Sequence, residues 1–214
     1  FVALALRTHR LAGIASNLVT KFGFNRDKAL LEQAVQNAKR GVELDDQLAL
    51  NRVSLGRAYV TKGDYDAAEA ELRQALTLEP LNADAHRVLA DLQAAKGNPA
   101  EAEKLYRKAI ELRGDDWALH YALGIFYYRA SRYPEAERAL AESIKLAPDS
   151  HMNHRDLGAV YHLQGRFPEA AAESRVRGAW ASGELDGARL LGPRTVDFMT
   201  RNHLPGNADL EQIG

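Results

Sequence analysis

The chain has 214 residues, no cysteine and a formal net charge of −1. The absence of cysteine excludes disulfides and thiol chemistry, and the balanced charge leaves no electrostatic footprint for nucleic acid or an anionic membrane. No apolar run approaches the ~20 residues of a membrane span, because Phe1-Val-Ala-Leu-Ala-Leu6 is followed at once by Arg7, His9 and Arg10. The first residue is Phe1 rather than methionine, as expected of a fragment or a processed form. The cytoplasm is favoured over the periplasm.

Leu11, Ile14, Leu18 and Phe22 recur at helical spacing, and so do Leu31, Ala34, Ala38 and Leu44. Residues 3–46 therefore read as a first, divergent helix pair with a longer turn over Phe24 to Asp27. Beyond them the spacing becomes regular. Leu55-Gly56-x-x-Tyr59, Leu89-Ala90, Leu123-Gly124-x-x-Tyr127 and Leu157-Gly158-x-x-Tyr161 recur every 34 residues. With Ala49, Ala83, Trp117 and His151 as position one, the units are 49–82, 83–116, 117–150 and 151–184. Position twenty is then Ala68, Ala102, Ala136 and Ala170, and position twenty-four is Leu72, Tyr106, Leu140 and Ser174. A fixed period of this length means stacked copies of one unit, each covering the apolar face its neighbour leaves bare. Small residues at positions eight and twenty let the two helices of a unit approach closely.

The punctuation agrees. Gly63, Gly97 and Gly165 stand where first helices should end in a left-handed cap, and Ser131 takes that slot once. Asn98-Pro99-x-Glu101 reads as an N-cap, a first-turn proline and a capping-box acid. Pro134 and Pro168 suit the first turn of a second helix, and Pro80 and Pro148 stop the helices before them. After Trp180 the repeat fails. Residues 183–214 are expected to form a C-terminal extension, a loose tail or one short helix over 193–202.

This pattern resembles the tetratricopeptide repeat, W-x2-L-G-x2-Y…A-x3-F…P over 34 residues. The resemblance covers about residues 3–182. It implies an all-α fold, a right-handed superhelix (solenoid) of about five antiparallel helix pairs, and a non-catalytic protein–protein interaction scaffold. In that family the first helices line a concave groove at positions two, five, six, nine, twelve and thirteen. Carried over, those positions give candidate partner-binding residues Arg57, Arg87, Asp91, Tyr121, Ile125, Tyr128, Arg129, Arg155 and His162. Tyr121, Ile125 and Tyr128 are the expected apolar anchor. The arginines are expected to read acidic side chains or a free carboxylate of a protein or peptide partner. The competing reading is a solvated face, with Asp84, Asp91 and Asp156 paired internally to those arginines. The family's Lys/Asn clamp for chaperone tails is missing, since Val53, Arg57 and Val88 occupy its places.

Two further resemblances suggest an accessory region of a larger enzyme as the alternative. The long-turn opening is similar to repeat arrays attached to bacterial signalling kinases. Residues 183–206 are similar to a non-catalytic stretch of β-lactamase-like serine esterases. That family's Ser-x-x-Lys nucleophile is absent, so no catalytic role is carried over. A third reading, self-assembly through an apolar end face, is opposed by Ser174 and Arg177 at normally apolar positions.

No catalytic set, G-x-S-x-G elbow or phosphate-binding loop is present in the sequence. His86, His120 and His154 share position four. Equivalent residues on successive helices lie ~8–10 Å apart, too far to share an ion at ~2.0–2.1 Å, so half-buried packing is expected of them. Asp45-Asp46 and Asp115-Asp116 fit capping roles in turns. Neither metal nor cofactor is expected.

Overall fold

The computed structural model describes residues 2–182, 184–185 and 188–189. They form an all-α helical repeat with one short strand pair. The chain divides into two compact units between Ala122 and Leu123, taken separately below.

The first unit holds α1 (Val2–Asn25), α2 (Lys28–Leu44), α3 (Ala49–Lys62), α4 (Tyr65–Leu78), α5 (Ala83–Ala95), α6 (Pro99–Leu112) and the start of α7 (Trp117–Arg129). Helices pack in pairs, α1 on α2, α3 on α4 and α5 on α6. The pairs join through shared cores, one of which contains Val53, Leu72, Ala75, Val88 and Leu92. The small residue at position eight is needed here. A Cβ on Gly56 would stand 2.7 Å from Leu72 Cγ.

The first helix pair departs from expectation in two ways. The turn is short, because α1 runs through Asn25 and only Arg26 and Asp27 separate it from α2. Arg26 adopts φ 57°, and the Asp27 carboxylate accepts the Ala29 N–H at 2.9 Å. The buried stripe of α1 is also made of small side chains, Thr8, Ala12 and Ala15, while Ile14 is 36% exposed. Since α1 packs on both α2 and α3, close approach on two sides favours alanine over branched aliphatics.

The second unit begins within α7 and holds α8 (Tyr133–Leu146), α9 (His151–Leu163), α10 (Phe167–Ser182) and the strands β1 (Glu184–Leu185) and β2 (Ala188–Arg189). The strands pair antiparallel, Glu184 with Arg189 and Leu185 with Ala188. The expected short helix over 193–202 lies outside the described residues. A Cβ on Gly124 would meet Leu140 Cγ at 2.8 Å, whereas one on Gly158 would come no nearer than 3.3 Å, to Glu173 Cβ, with the Ala170 carbonyl at 3.6 Å.

The left-handed caps are where the sequence places them. Gly63, Gly97 and Gly165 have φ of 91°, 80° and 75°, and Ser131 has φ 58°. Asn98 stands at the N-cap of α6, but its side chain makes no cap bond. Its amide donates instead to Gln93 Oε1 at 2.9 Å. Asp45 and Asp116 act in turns as expected, accepting the N–H of Gln47 and Ala118.

Position four does more than pack. Arg52 Nε donates to the Asp46 carbonyl at 2.9 Å. His86 Nε2 lies 3.1 Å from the Pro80 carbonyl, His120 Nε2 2.9 Å from that of Gly114, and His154 Nε2 2.8 Å from that of Pro148. In every case the acceptor lies six residues earlier, in the turn that enters the helix. A carbonyl only accepts, so each of these Nε2 atoms carries a proton. A glutamate of the second helix braces the clamp twice, Glu71 on Arg52 at 3.0 Å and Glu173 on His154 Nδ1 at 2.6 Å.

Candidate partner-binding face

In the first unit the candidate residues come from α3, α5 and α7. Arg87 Nη1 pairs with Asp91 at 2.9 Å, and its Nε lies 3.8 Å from Asp84. Asp91 also accepts the Tyr106 hydroxyl, and Asp84 pairs with Arg113 at 2.9 Å. Arg87 and Asp91 thus form an internal network anchored on α6. Tyr121 is half-buried, its ring 6.2 Å from that of Trp117.

Arg57 differs from its neighbours. The side chain as a whole is half-buried, yet its Nε is sealed from solvent with no hydrogen-bond partner. Burial lowers its pKa to about 10, helped by the nearby Arg87 charge and opposed by Asp84 and Asp91.

In the second unit Ile125 and Tyr128 are half-buried, and Arg129 is exposed. The Tyr128 ring lies 6.4 Å from Tyr133. Arg155 is exposed but held by Asp156 through two bonds, at 2.7 and 3.0 Å. His162 is exposed and meets Phe167 edge-on at 5.3 Å. Leu163 and Phe167 remain 50% and 60% exposed. Position seventeen, Tyr133 and Phe167, thus adds a ring beside position twelve. The sequence carries that signal as an aromatic residue five places after Tyr128 and His162.

A second feature of this unit lay beyond reading by position. Arg132 lies over the Tyr127 ring at 4.5 Å and pairs with Glu135 at 2.8 Å. Arg166 lies over Tyr161 at 4.4 Å and pairs with Glu169 at 2.9 Å and Glu137 at 2.8 Å. These bonds raise the Arg166 pKa.

Among the described residues, no group of three or more His, Cys, Asp or Glu could hold a metal ion, and no helix is long and apolar enough to cross a membrane.

Paired helices at a fixed period, with polar and aromatic side chains on the first-helix faces, define a helical-repeat protein. Three family models, each described as the tetratricopeptide repeat, match residues 53–116, 93–159 and 154–175. The chain belongs to the tetratricopeptide repeat family. Its fold is similar to that of TTC0263, a thermophilic tetratricopeptide repeat protein of Thermus thermophilus, with TM-score 0.61 and 19% identity, over 87% of this chain and 96% of that one. It is similar to MamA from Desulfovibrio magneticus RS-1, with TM-score 0.55 and 18% identity, over 78% and 94% of the two chains. It also resembles YrrB, described as having an unusual peptide-binding site, with TM-score 0.51 and 17% identity over 86% and 90%. At these identities the likeness speaks for the fold alone. Among curated proteins no relative matches the sequence.

Proposed function

We propose that this chain is a non-catalytic scaffold that holds a peptide segment of a partner protein against its first-helix faces. The family supports a protein-binding role. The observation that carries the peptide reading is the character of the second unit's face, where rings and aliphatics stay uncovered beside charged Arg129. Apolar side chains of the partner would lie on Ile125, Tyr128 and Leu163, and Arg129 would meet an acidic group. Tyr and Arg are residue types on which binding energy concentrates.

A crosslinking capture of partners from the native host tests this. Wild type is compared with Tyr128→Ala/Arg129→Glu and with Lys104→Glu, a charge reversal on α6. A partner bound by wild type and by Lys104→Glu but lost with the double change supports the reading. Equal capture by all three forms overturns it. The alternative is an accessory region of a larger enzyme: for an esterase-like hydrolase it rests on the resemblance of residues 183–206, which lie mostly outside the described structure, and for a signalling kinase on a long-turn opening where the structure has a two-residue turn. A parent protein that hydrolyses a chromogenic ester, while this chain alone does not, would bring it forward.

A further inference from the structure

We propose that the outward face of α1 is a contact for an anionic membrane, lying along the lipid headgroups. It uses none of the residues of the peptide-binding face and does not depend on that reading.

The near-neutral total conceals a segregation of charge. Residues 1–44 carry seven Lys and Arg against three Asp and Glu, a net +4, so the −1 of the whole chain leaves −5 for residues 45–214. The electrostatic footprint that the total hides is confined to the first helix pair. Within that pair, α1 contains no acid in its 24 residues. Arg7, Arg10, Ile14, Asn17 and Lys21 are all exposed. At 3.6 residues per turn they fall within about 80° of arc, and at 1.5 Å per residue the stripe from Arg7 to Lys21 is about 21 Å long.

The cations of this stripe are not used inside the protein. Among the described residues, no hydrogen bond or ion pair engages the side chain of Arg7, Arg10 or Lys21. The acids of the pair are occupied elsewhere. Asp27 caps α2 by accepting the Ala29 N–H, and Glu43 pairs with Arg40 at 2.8 Å. Glu32 lies in the field of Lys62, whose pKa is raised mainly by its bond to Asp64 and in smaller part by Glu32. Other cations of the pair are engaged: Arg26 lies 5.7 Å from the Phe22 ring and Lys39 5.9 Å from that of Tyr59.

A helix face with unpaired cations and no acid attracts a negative surface. The spread of the cations favours a bilayer over a protein. An acidic protein would have to set a carboxylate opposite each one, whereas mobile headgroups gather wherever the charges lie. Ile14, 36% exposed in the middle of the stripe, is unmatched on an acidic protein surface but suits the boundary between headgroups and acyl chains. The sequence before Arg7 is also wholly apolar, from Phe1 to Leu6.

The test sediments the 214-residue chain with vesicles of phosphatidylcholine alone and of phosphatidylcholine mixed equally with phosphatidylglycerol. Wild type is compared with Arg7→Glu/Arg10→Glu/Lys21→Glu and with Arg73→Glu/Lys104→Glu/Lys108→Glu, which changes the net charge equally on α4 and α6. Wild type and the α4/α6 variant should sediment with the anionic vesicles alone, and less so as salt rises. Reversing the stripe should lower the partition coefficient by about a hundredfold or more, since each cation near an anionic surface contributes roughly a factor of five. Circular dichroism melts show whether each variant folds. If the triple reversal does not, the neutralising pair Arg10→Gln/Lys21→Gln decides, with an expected loss of about thirtyfold.

Equal sedimentation with both vesicle types overturns the proposal. So does an equal loss in the α4/α6 variant, which would make the attraction one of total charge, or wild-type binding by the folded stripe variant. Failure to sediment with either vesicle overturns it as well. If the chain then self-associates in velocity sedimentation and the stripe variant does not, the stripe binds the acidic remainder of a second copy instead.

Discussion

The two units make the same turn with different side chains. In the first, the left-handed residue is followed by Asp64 or Asn98, and the local bonds are short-range: Lys62 to Asp64 at 2.6 Å, and Asn98 to Gln93 at 2.9 Å. In the second, the same backbone at Ser131 and Gly165 is followed by Arg132 or Arg166, each laid over a tyrosine and tied to a glutamate three residues on. The repeat therefore dictates the backbone of the turn and leaves its chemistry free. The candidate faces contrast in a similar way. Arg87 is bound into a network reaching α6, whereas Arg129 stays open to solvent.

The sharpest way to break this comparison is through the close-packed glycines. Overpacking costs up to about 3 kcal/mol, against about 1 kcal/mol gained from the helix propensity of alanine. Gly56→Ala and Gly124→Ala should each lose about 2 kcal/mol in urea unfolding, one in each unit. Gly158→Ala should stay near neutral, because its added Cβ comes no nearer than 3.3 Å to any neighbour, the Cβ of Glu173. A Gly158→Ala loss equal to the others would refute the distinction.

Next comes the clamp at position four. His154→Leu removes a bond to a carbonyl and strips Glu173 of its partner, which should cost about 2 kcal/mol. His120→Leu loses the carbonyl bond at a more exposed site, and about 0.5–1 kcal/mol is expected. Equal losses by thermal unfolding would mean that Glu173 contributes nothing.

The turn itself gives a pair of opposite sign. Ser131 holds φ 58° and Gly165 holds φ 75°. A left-handed residue with a side chain is strained by about 1 kcal/mol. Ser131→Gly should therefore stabilise and Gly165→Ser destabilise by about that amount, as read by unfolding midpoints.

The smallest effect concerns acid. Hydrogen bonds from Lys96, Arg132 and Arg166 respectively hold Glu69, Glu135 and Glu169 below the ordinary carboxylate value of 4.5. Their folded pKa is depressed, so their contribution is present above about pH 4.5 and fades as pH falls through the lower folded values. Two of the three lie in the second unit. Carboxyl NMR titrations should give midpoints below 4.5 for all three, and any midpoint that is not depressed would cancel that glutamate's share.

Much of the fold was legible because the 34-residue period repeats a steric rule. Leu72 and Leu140 need a residue without a side chain opposite them, and Gly56 and Gly124 supply it. The first helix pair was less legible. Arg26 takes a left-handed conformation with no glycine to announce it, and the buried stripe of α1 is alanine beside larger residues that look like a core. The Arg87–Asp91 pair follows from i,i+4 spacing on one helix. The claim of Arg113 on Asp84, 29 residues away, does not. The clamp at position four was hidden for a related reason. Its acceptor is a carbonyl, and every residue has one.

That clamp has a consequence for modularity. The donor lies at the start of one 34-residue block, and its acceptor lies near the end of the block before. A block excised as 83–116 keeps the imidazole of His86 and leaves the Pro80 carbonyl behind. Transplanted beside a foreign neighbour, it would find a mate only where the incoming turn had the same length. The natural cassette for grafting therefore starts at Pro80 rather than Ala83, out of phase with the sequence repeat.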